Sequence, residues 1–169
     1  DGRALARLCR NAVDQLVLVD LSSGRVEELA LPFVSFGSVG VLDAEHGYSI
    51  AASETAPYAL ITFSLRDGAH RVVRTAGPAP LAPDFVSRAE AIRFPTRPGA
   101  DGTPREAHAF FHPPCNPGCS GPRDTKPPLL VLVHGGPTAH AAPALSPSHQ
   151  FWTTRGFAIV NVNYGGSSG

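Results

Sequence analysis

The chain has 169 residues, enough for one domain or for parts of two. Its 14 basic and 14 acidic residues cancel, which gives no electrostatic reason to expect a nucleic-acid or membrane partner. Hydrophobic residues make up 43%, as in globular proteins, and no run approaches the roughly 18 apolar residues of a membrane helix. Because no basic-then-apolar leader is visible either, we expect a cytoplasmic location. The lack of Met and the globular character of the first residues predict an internal piece of a longer protein.

A repeated pattern occupies the first part of the chain. Residues 15–26 (QLVLVDLSSGRV) align with residues 59–70 (ALITFSLRDGAH), which places Gly24 and Gly68 at the same point of each copy. The residue pattern of each copy predicts a strand, a turn at the glycine and then a second strand. Units of about 40–50 residues built from short strands are typical of β-propeller blades. Residues 1–83 are therefore predicted to be the C-terminal blades of a propeller, with a chance likeness of two hairpins as the alternative.

A Pro/Ala-rich stretch at residues 75–83 predicts a linker between two domains. Beyond it, residues 90–94 and 106–112 are strand-like and lie on either side of a turn-rich insert, which predicts an antiparallel hairpin. A proline-rich loop at residues 113–128 follows and leads into the most apolar run of the chain.

That run, LLVLV at residues 129–133, stops at His134-Gly135-Gly136-Pro137. A continuous apolar run with prolines before it and glycines after it predicts a strand buried on both faces of a parallel sheet. Open α/β sheets bind ligands at the carboxyl ends of their strands, and in serine hydrolases a Gly-rich loop there supplies an N–H to the oxyanion hole. A plain strand-to-loop turn is the alternative for two adjacent glycines. We expect His134 to brace the loop instead of acting as a catalytic base, since a base needs a nucleophile and an orienting group.

The next segments predict a βαβ unit. Residues 147–155 predict a short helix, capped by Ser146 and ended by Gly156, and residues 157–164 predict a second strand. The fold class predicted from these patterns is a β-propeller tail followed by the N-terminal part of an α/β-hydrolase domain with a mixed, mostly parallel sheet. The second domain is assigned to residues 84–169.

The last five residues, Gly165-Gly166-Ser167-Ser168-Gly169, fit the G-x-S-x-G pattern of a nucleophile elbow. An elbow needs a helix after the serine, and a further βα unit should separate it from the oxyanion-loop strand. Neither is present in the pattern. We therefore interpret Ser167 as a loop residue and not as the nucleophile.

The three cysteines give no clear metal signal. Cys115 and Cys119 could close a small disulfide or supply two ligands, but no Cys or His pair with zinc-like spacing accompanies them. We expect reduced cysteines, no metal and no cofactor. The remaining histidines show no partnered spacing and are expected to be surface or structural residues: His46, His70, His108, His112, His140 and His149.

Three ordered motifs together resemble one protein family: HGGPT at residues 134–138, W-x-x-R-G-F-A at 152–158 and N-Y-G-G-S-S-G at 163–169. They are similar to the catalytic domain of the prolyl oligopeptidase family of serine peptidases, in particular its acylaminoacyl- and dipeptidyl-peptidase-like bacterial members. The resemblance implies that Gly136 donates its backbone N–H to the oxyanion, while Gly135 serves the turn. It places the nucleophilic Ser, the Asp and the His after Gly169, so that this chain alone would be inactive.

The resemblance also implies a parent enzyme that hydrolyses short peptides, with a propeller that restricts access. Exopeptidase, oligopeptidase and acylaminoacyl-peptidase specificity stay open, as does the oligomeric state. Two other classes remain as alternatives. A carboxylesterase or lipase also uses His-Gly-Gly loops, although a third Gly or Ala usually stands where this chain has Pro137. A non-catalytic binding protein with the same domains is the other alternative.

Overall fold

The computed structural model describes residues 2–77, 81–136 and 138–168, and these form three β-sheets and one short α-helix. Pro137, Gly169 and part of the predicted linker lie outside the described residues. The strands are β1 (Arg3–Arg10), β2 (Val13–Asp20), β3 (Val26–Glu28), β4 (Ser35–Val41), β5 (His46–Ala52), β6 (Ala59–Ser64), β7 (His70–Thr75), β8 (Glu90–Pro95), β9 (Glu106–His112), β10 (Leu129–Val133) and β11 (Ala158–Asn163). The helix α1 (Pro147–Thr153) lies between β10 and β11, and a 3₁₀ turn (Pro83–Phe85) precedes β8.

Both predicted repeat units are hairpins, as the sequence pattern indicated. β2 pairs with β3 and β6 pairs with β7, each in antiparallel register. Val19 lies opposite Val26 in the first hairpin, and Phe63 lies opposite His70 in the second. The residue numbers of the two pairs differ by the same offset that separates Gly24 from Gly68. The repeat therefore includes the register of the paired strands.

The turns of the two hairpins share the same hydrogen bonds. The N–H of Gly24 donates to the Asp20 carbonyl at 2.8 Å, and the N–H of Gly68 donates to the Ser64 carbonyl at 3.1 Å. Both glycines have a left-handed backbone, with φ of +71° and +72°. Because other residues adopt this conformation at a cost of about 1–2 kcal/mol, the turn explains why glycine recurs at this point.

The first two sheets, β1-β2-β3 and β4-β5-β6-β7, share one apolar core. β2 contributes Leu16 and Leu18 to this core, whereas β6 contributes Ile61 and Phe63. When the two repeat copies are aligned, Ile61 and Phe63 correspond to odd-numbered residues of β2. The core residues of β6 therefore lie on the strand face opposite to the one that β2 uses. The sheets therefore stack through non-equivalent faces, as successive propeller blades do. This arrangement fits a propeller-like β domain.

The predicted α/β-hydrolase sheet is wrong. The third sheet has the order β10-β11-β9-β8, and among its pairings β10–β11 is parallel while β11–β9 and β9–β8 are antiparallel. The structure is 42% strand and 6% helix, which fits a propeller-like β fold and not a mostly parallel α/β sheet. The predicted local units are confirmed: the β8–β9 hairpin, and the parallel β10–β11 pair joined by α1. The prediction assumed that the whole sheet would follow the one parallel β10–β11 pair. The β8–β9 hairpin instead pairs with β11 in antiparallel orientation.

The prediction that residues 129–133 are buried on both faces is also wrong. β10 is an edge strand that pairs only with β11 among the described strands. Leu129, Val131 and Val133 are 53%, 58% and 62% exposed. An apolar run indicates a strand. How many other elements pack around that strand, and so how far its side chains are buried, depends on its position in the sheet.

The helix α1 begins where its sequence predicted, at Pro147, but it ends at Thr153 and not at Arg155. The Ser146 hydroxyl accepts from the N–H of His149 at the amino end, and Gly156 leaves the helix region with a φ of +87°. Inside the protein, the buried Gln150 side chain makes two hydrogen bonds to the backbone of Ser87, at 2.8 and 3.0 Å, and so fixes α1 to the segment before β8. No helix within the described ranges is long and apolar enough to span a membrane.

A buried and a half-buried imidazole connect β9 to α1. The rings of His149 and His112 pack edge to face with their centroids 4.9 Å apart, and neither His112 ring nitrogen has a hydrogen-bond partner. Burial lowers the pKa of His112, and burial together with the neighbouring His112 lowers the pKa of His149 to about 4. Both rings are therefore neutral in the folded protein at neutral pH.

This pair should make stability depend on pH. The pKa of His149 is about 4 in the folded state against 6.5 for an ordinary histidine, so the unfolded chain binds the proton first as the pH falls. The free energy of unfolding should be constant above about pH 7 and should decrease as the pH falls from 6.5 towards 4. Urea titrations at several pH values measure this dependence. The variant His149→Phe should flatten it, whereas the exposed control His108→Gln should not. An unchanged slope in His149→Phe would contradict the assignment.

Candidate functional site

The parallel pairing of β10 with β11 brings the two Gly-rich motifs together. Val133, the last residue of β10, lies opposite Val162 near the end of β11. Because parallel strands end at the same edge of a sheet, the loop that starts at His134 lies beside the loop that starts at Tyr164. We call residues 134–145 the Gly-Gly loop and residues 164–168 the serine loop.

Tyr164 holds the start of the Gly-Gly loop. Its hydroxyl donates to the Gly136 carbonyl at 2.6 Å and lies 3.2 Å from the His134 carbonyl. Its ring stacks on the His134 imidazole, with centroids 4.5 Å apart and an interplanar angle of 18°. Sequence reasoning gave Tyr164 no role, because a tyrosine after a strand does not reveal which loop it faces.

Two further residues, Asn163 and Ser168, hold the Gly-Gly loop at residues 138–141. The buried Asn163 side chain accepts from the Ala141 N–H at 2.7 Å and donates to the Ala141 carbonyl at 3.0 Å. On the serine loop, the N–H of Ser168 donates to the Ala139 carbonyl at 3.1 Å, and its hydroxyl donates to the Thr138 carbonyl. Residues at the end of β11 and in the serine loop therefore determine the path of the Gly-Gly loop.

Gly136, the predicted oxyanion donor, has a left-handed backbone with φ of +71°, and a Cβ atom there would meet open space. Gly135 is not in this region, so Gly136 is the residue whose turn needs glycine. This differs from the expectation that Gly135 serves the turn. The N–H of Gly136 makes no hydrogen bond to any residue that the structure describes.

The imidazole of His134 contacts both loops. Its Nε2 lies 2.7 Å from the Ser167 hydroxyl, and its Nδ1 lies 3.1 Å from the Gly135 carbonyl. A carbonyl oxygen only accepts, so Nδ1 carries the proton in this contact and Nε2 accepts from Ser167. No carboxylate within the described ranges contacts this ring. The geometry supports the predicted bracing role of His134 and shows that Ser167 is its partner.

A cavity of about 190 Å³ lies next to these loops, between the serine loop and the turn that joins β1 to β2. Its walls include Asn11 and Ala12 of that turn, Tyr164 and Ser167 of the serine loop, and His108 of β9. The two-sheet part of the chain and the third sheet therefore both contribute to this space.

The residues that could hold a metal ion lie elsewhere. Cys115 and Cys119 form no disulfide among the described residues, and neither belongs to a group of potential ligands there. Cys9, Asp14 and His140 instead place one potential ligand atom each within 4.8 Å of one another. No sequence spacing indicates this cluster, because His140 is far from the other two along the chain.

The Asn163 contacts should be a main source of stability for the Gly-Gly loop. Replacement by Ala leaves the N–H and the carbonyl of Ala141 buried without partners, and each such group costs about 1–3 kcal/mol. We expect Asn163→Ala to lower the free energy of unfolding by about 2–4 kcal/mol in urea titrations. The matched control is Asn161→Ala on the same strand, whose side chain makes no hydrogen bond among the described residues. Equal effects of the two changes would contradict the assigned role.

No family model matches the chain. Over 49 residues the chain is 41% identical to dipeptidyl aminopeptidase BIII of Pseudoxanthomonas mexicana. The matched stretch covers 29% of this chain and 7% of that protein. The structure of a puromycin-hydrolyzing peptidase of Mycobacterium tuberculosis has a TM-score of 0.86 and 27% identity, and the match covers 100% of this chain and 25% of that one.

Prolyl oligopeptidase B from Galerina marginata has a TM-score of 0.65 and 19% identity over 98% of this chain and 23% of that one, which shows a shared fold alone. This chain thus spans about a quarter of the length of the solved structures and 7% of the curated relative. The relatives are peptidases. The resemblance indicated by the three motifs is confirmed: this chain is similar to peptidases of the prolyl oligopeptidase family.

Proposed function

We propose that the full-length protein is a serine peptidase acting on short peptides, and that Gly136 supplies an oxyanion-hole N–H. The observation that carries this proposal is the Gly-Gly loop, held in one conformation by Tyr164 and Asn163 with the Gly136 N–H unused. The likeness to a puromycin-hydrolyzing peptidase along the whole chain supports the same reaction class.

In the proposed mechanism, a serine hydroxyl attacks the peptide carbonyl, whose oxygen becomes negatively charged. The N–H of Gly136 donates to that oxygen, and a donor that is already oriented avoids the cost of reorganisation during the reaction. The peptide group between Gly135 and Gly136 carries this N–H, and His134 Nδ1 donates to its carbonyl. His134 therefore acts as a positioning residue, because it fixes the direction of the donor.

We further propose that the nucleophilic Ser, the Asp and the His come from residues after Gly169, as the resemblance implies, and that residues 1–169 alone are inactive. Residues 1–83 would belong to the propeller, which would limit access to short peptides, and residues 84–169 to the peptidase part. The boundary and the cytoplasmic location stay predictions.

A second candidate mechanism has one specific observation in its favour. Ser167 and His134 Nε2 are 2.7 Å apart, which is the distance expected for a nucleophile and its base. In that mechanism Ser167 would attack the substrate. We favour the bracing role, because His134 Nδ1 contacts a neighbouring carbonyl and no carboxylate of the described residues is placed to stabilise a charged ring.

The Gly136 proposal predicts a specific kinetic defect. Alanine at residue 136 disfavours φ of +71°, so the turn should relax and direct the N–H away from the oxyanion. We expect Gly136→Ala to lower kcat of the full-length enzyme on fluorogenic dipeptide substrates by about 10²–10³, with a smaller effect on KM. The control is Gly135→Ala, which also places a Cβ in open space but needs no left-handed backbone. Similar kcat values for Gly136→Ala and wild type, with both proteins folded, would eliminate Gly136 as the donor.

The two serine assignments differ in a labelling experiment. The full-length protein should react with a fluorophosphonate probe, and Ser167→Ala should retain that labelling and most of the peptidase activity. The chain of residues 1–169 should show neither. Loss of labelling and activity in a well-folded Ser167→Ala variant would establish Ser167 as the nucleophile and contradict our preferred mechanism.

A further inference from the structure

A cross-strand pair places a thiol beside a buried carboxylate at the end of the first hairpin. Cys9 of β1 lies directly opposite Asp14 of β2. Asn11 and Ala12 join the strands with φ of 52° and 60°, the left-handed backbone of a two-residue type I′ turn. Because this turn type determines the register, the two side chains project to the same side of the hairpin.

His140 of the Gly-Gly loop completes a group of three. Its Nε2 lies 3.7 Å from the Cys9 sulfur, and all three potential ligand atoms are within 4.8 Å of one another. His140 directly precedes Ala141, whose backbone is held by Asn163. The position of the imidazole is therefore determined by the third sheet, while the thiol and the carboxylate belong to the first.

Asp14 supplies the group with a buried carboxylate oxygen that has no hydrogen-bond partner. Its side chain is 2% exposed, and one oxygen, Oδ2, accepts from the Phe36 N–H at 3.0 Å and lies 3.9 Å from the Arg7 guanidinium. The other oxygen, Oδ1, is buried without a hydrogen-bond partner. A buried carboxylate oxygen without a partner is costly, and a cation bound at Oδ1 would offset that cost.

We propose that Cys9, Asp14 and His140 bind one Zn²⁺ ion, with water as the fourth ligand. Thiolate, imidazole and carboxylate are the three ligand types that zinc uses in proteins. Zn–S and Zn–N bonds of about 2.3 and 2.05 Å at a tetrahedral angle separate the sulfur from the nitrogen by about 3.6 Å. The observed 3.7 Å separation matches this value.

Charge and protonation are consistent with a dication. On zinc binding the S–H bond of Cys9 breaks, the sulfur lone pair binds the metal, and the proton leaves to solvent. The thiolate and the Asp14 carboxylate then balance the two charges of zinc, and Arg7 remains on the opposite carboxylate oxygen.

The zinc would join two parts of the chain. Cys9 and Asp14 lie on the hairpin of the first sheet, and His140 lies four residues after Gly136 on the loop that we propose for the oxyanion hole. Zinc binding would therefore fix the Gly-Gly loop to the β1–β2 hairpin and stabilise the contact between the two parts. The site itself does not depend on the proposed peptidase activity.

The test uses the metal-free full-length protein with Zn²⁺ and Co²⁺ and needs no substrate. Calorimetry should give one zinc per chain, and Co²⁺ should produce the near-ultraviolet thiolate-to-metal charge-transfer band with the visible absorption of a four-coordinate site. Zinc should also raise Tm. Cys9→Ser, Asp14→Asn and His140→Gln should each weaken zinc binding by at least about 100-fold, since even supporting residues around a metal cost 10–100-fold.

Cys119→Ser is the matched control, because it removes an exposed free thiol outside the cluster and should leave zinc affinity, the cobalt spectrum and the Tm shift unchanged. The cobalt spectrum of the unmodified protein decides the question even where a variant fails to fold. The absence of a thiolate band, or zinc affinity retained in folded Cys9→Ser, would overturn the proposal. Failure of peptidase activity with an intact cobalt spectrum would count against the proposed function alone.

Discussion

The parallel pairing of β10 with β11 is the constraint on which the candidate site depends. It places the Gly-Gly loop and the serine loop at one edge of the sheet, although α1 and β11 separate them in the sequence. The hydrogen bonds that hold residues 136–141 then come from the end of β11 and from the serine loop. Asn163, Tyr164 and Ser168 form a consistent series of hydrogen bonds along residues 136–141.

The same edge also contacts the first two sheets. The N–H of Leu145, at the end of the Gly-Gly loop, donates to the Ser53 carbonyl beyond β5 at 2.9 Å. Near the middle of the loop, His140 approaches Cys9. The Gly-Gly loop is therefore attached at its start to β11 and at two later points to the first part of the chain. A metal ion at Cys9 would strengthen a connection that already exists in the backbone.

His134 shows how a residue can look catalytic and be better explained as support. Its two nitrogens contact the Gly135 carbonyl and the Ser167 hydroxyl, and its ring stacks on Tyr164. A general base must gain a proton during the reaction and needs a group that stabilises the resulting charge. The contacts of this ring instead define the direction of one peptide group. That direction matters for the proposed role of Gly136, because an oxyanion donor is effective only when it is oriented in advance.

The local sequence determined the elements and their turns. The repeated glycines, the apolar strand 129–133 and the Ser146 cap each depend on neighbours a few residues away, so their patterns predicted hairpins, a strand and a helix that the structure contains. The three motifs likewise indicated the family. The order and direction of the strands in the third sheet could not be predicted in this way. Nothing in residues 129–133 reveals that β10 lies at an edge, or that β9 pairs with β11 in antiparallel orientation. Only the tertiary structure brought Tyr164 to Gly136 and His140 to Cys9, because such contacts depend on strand order and register, which short-range patterns do not encode.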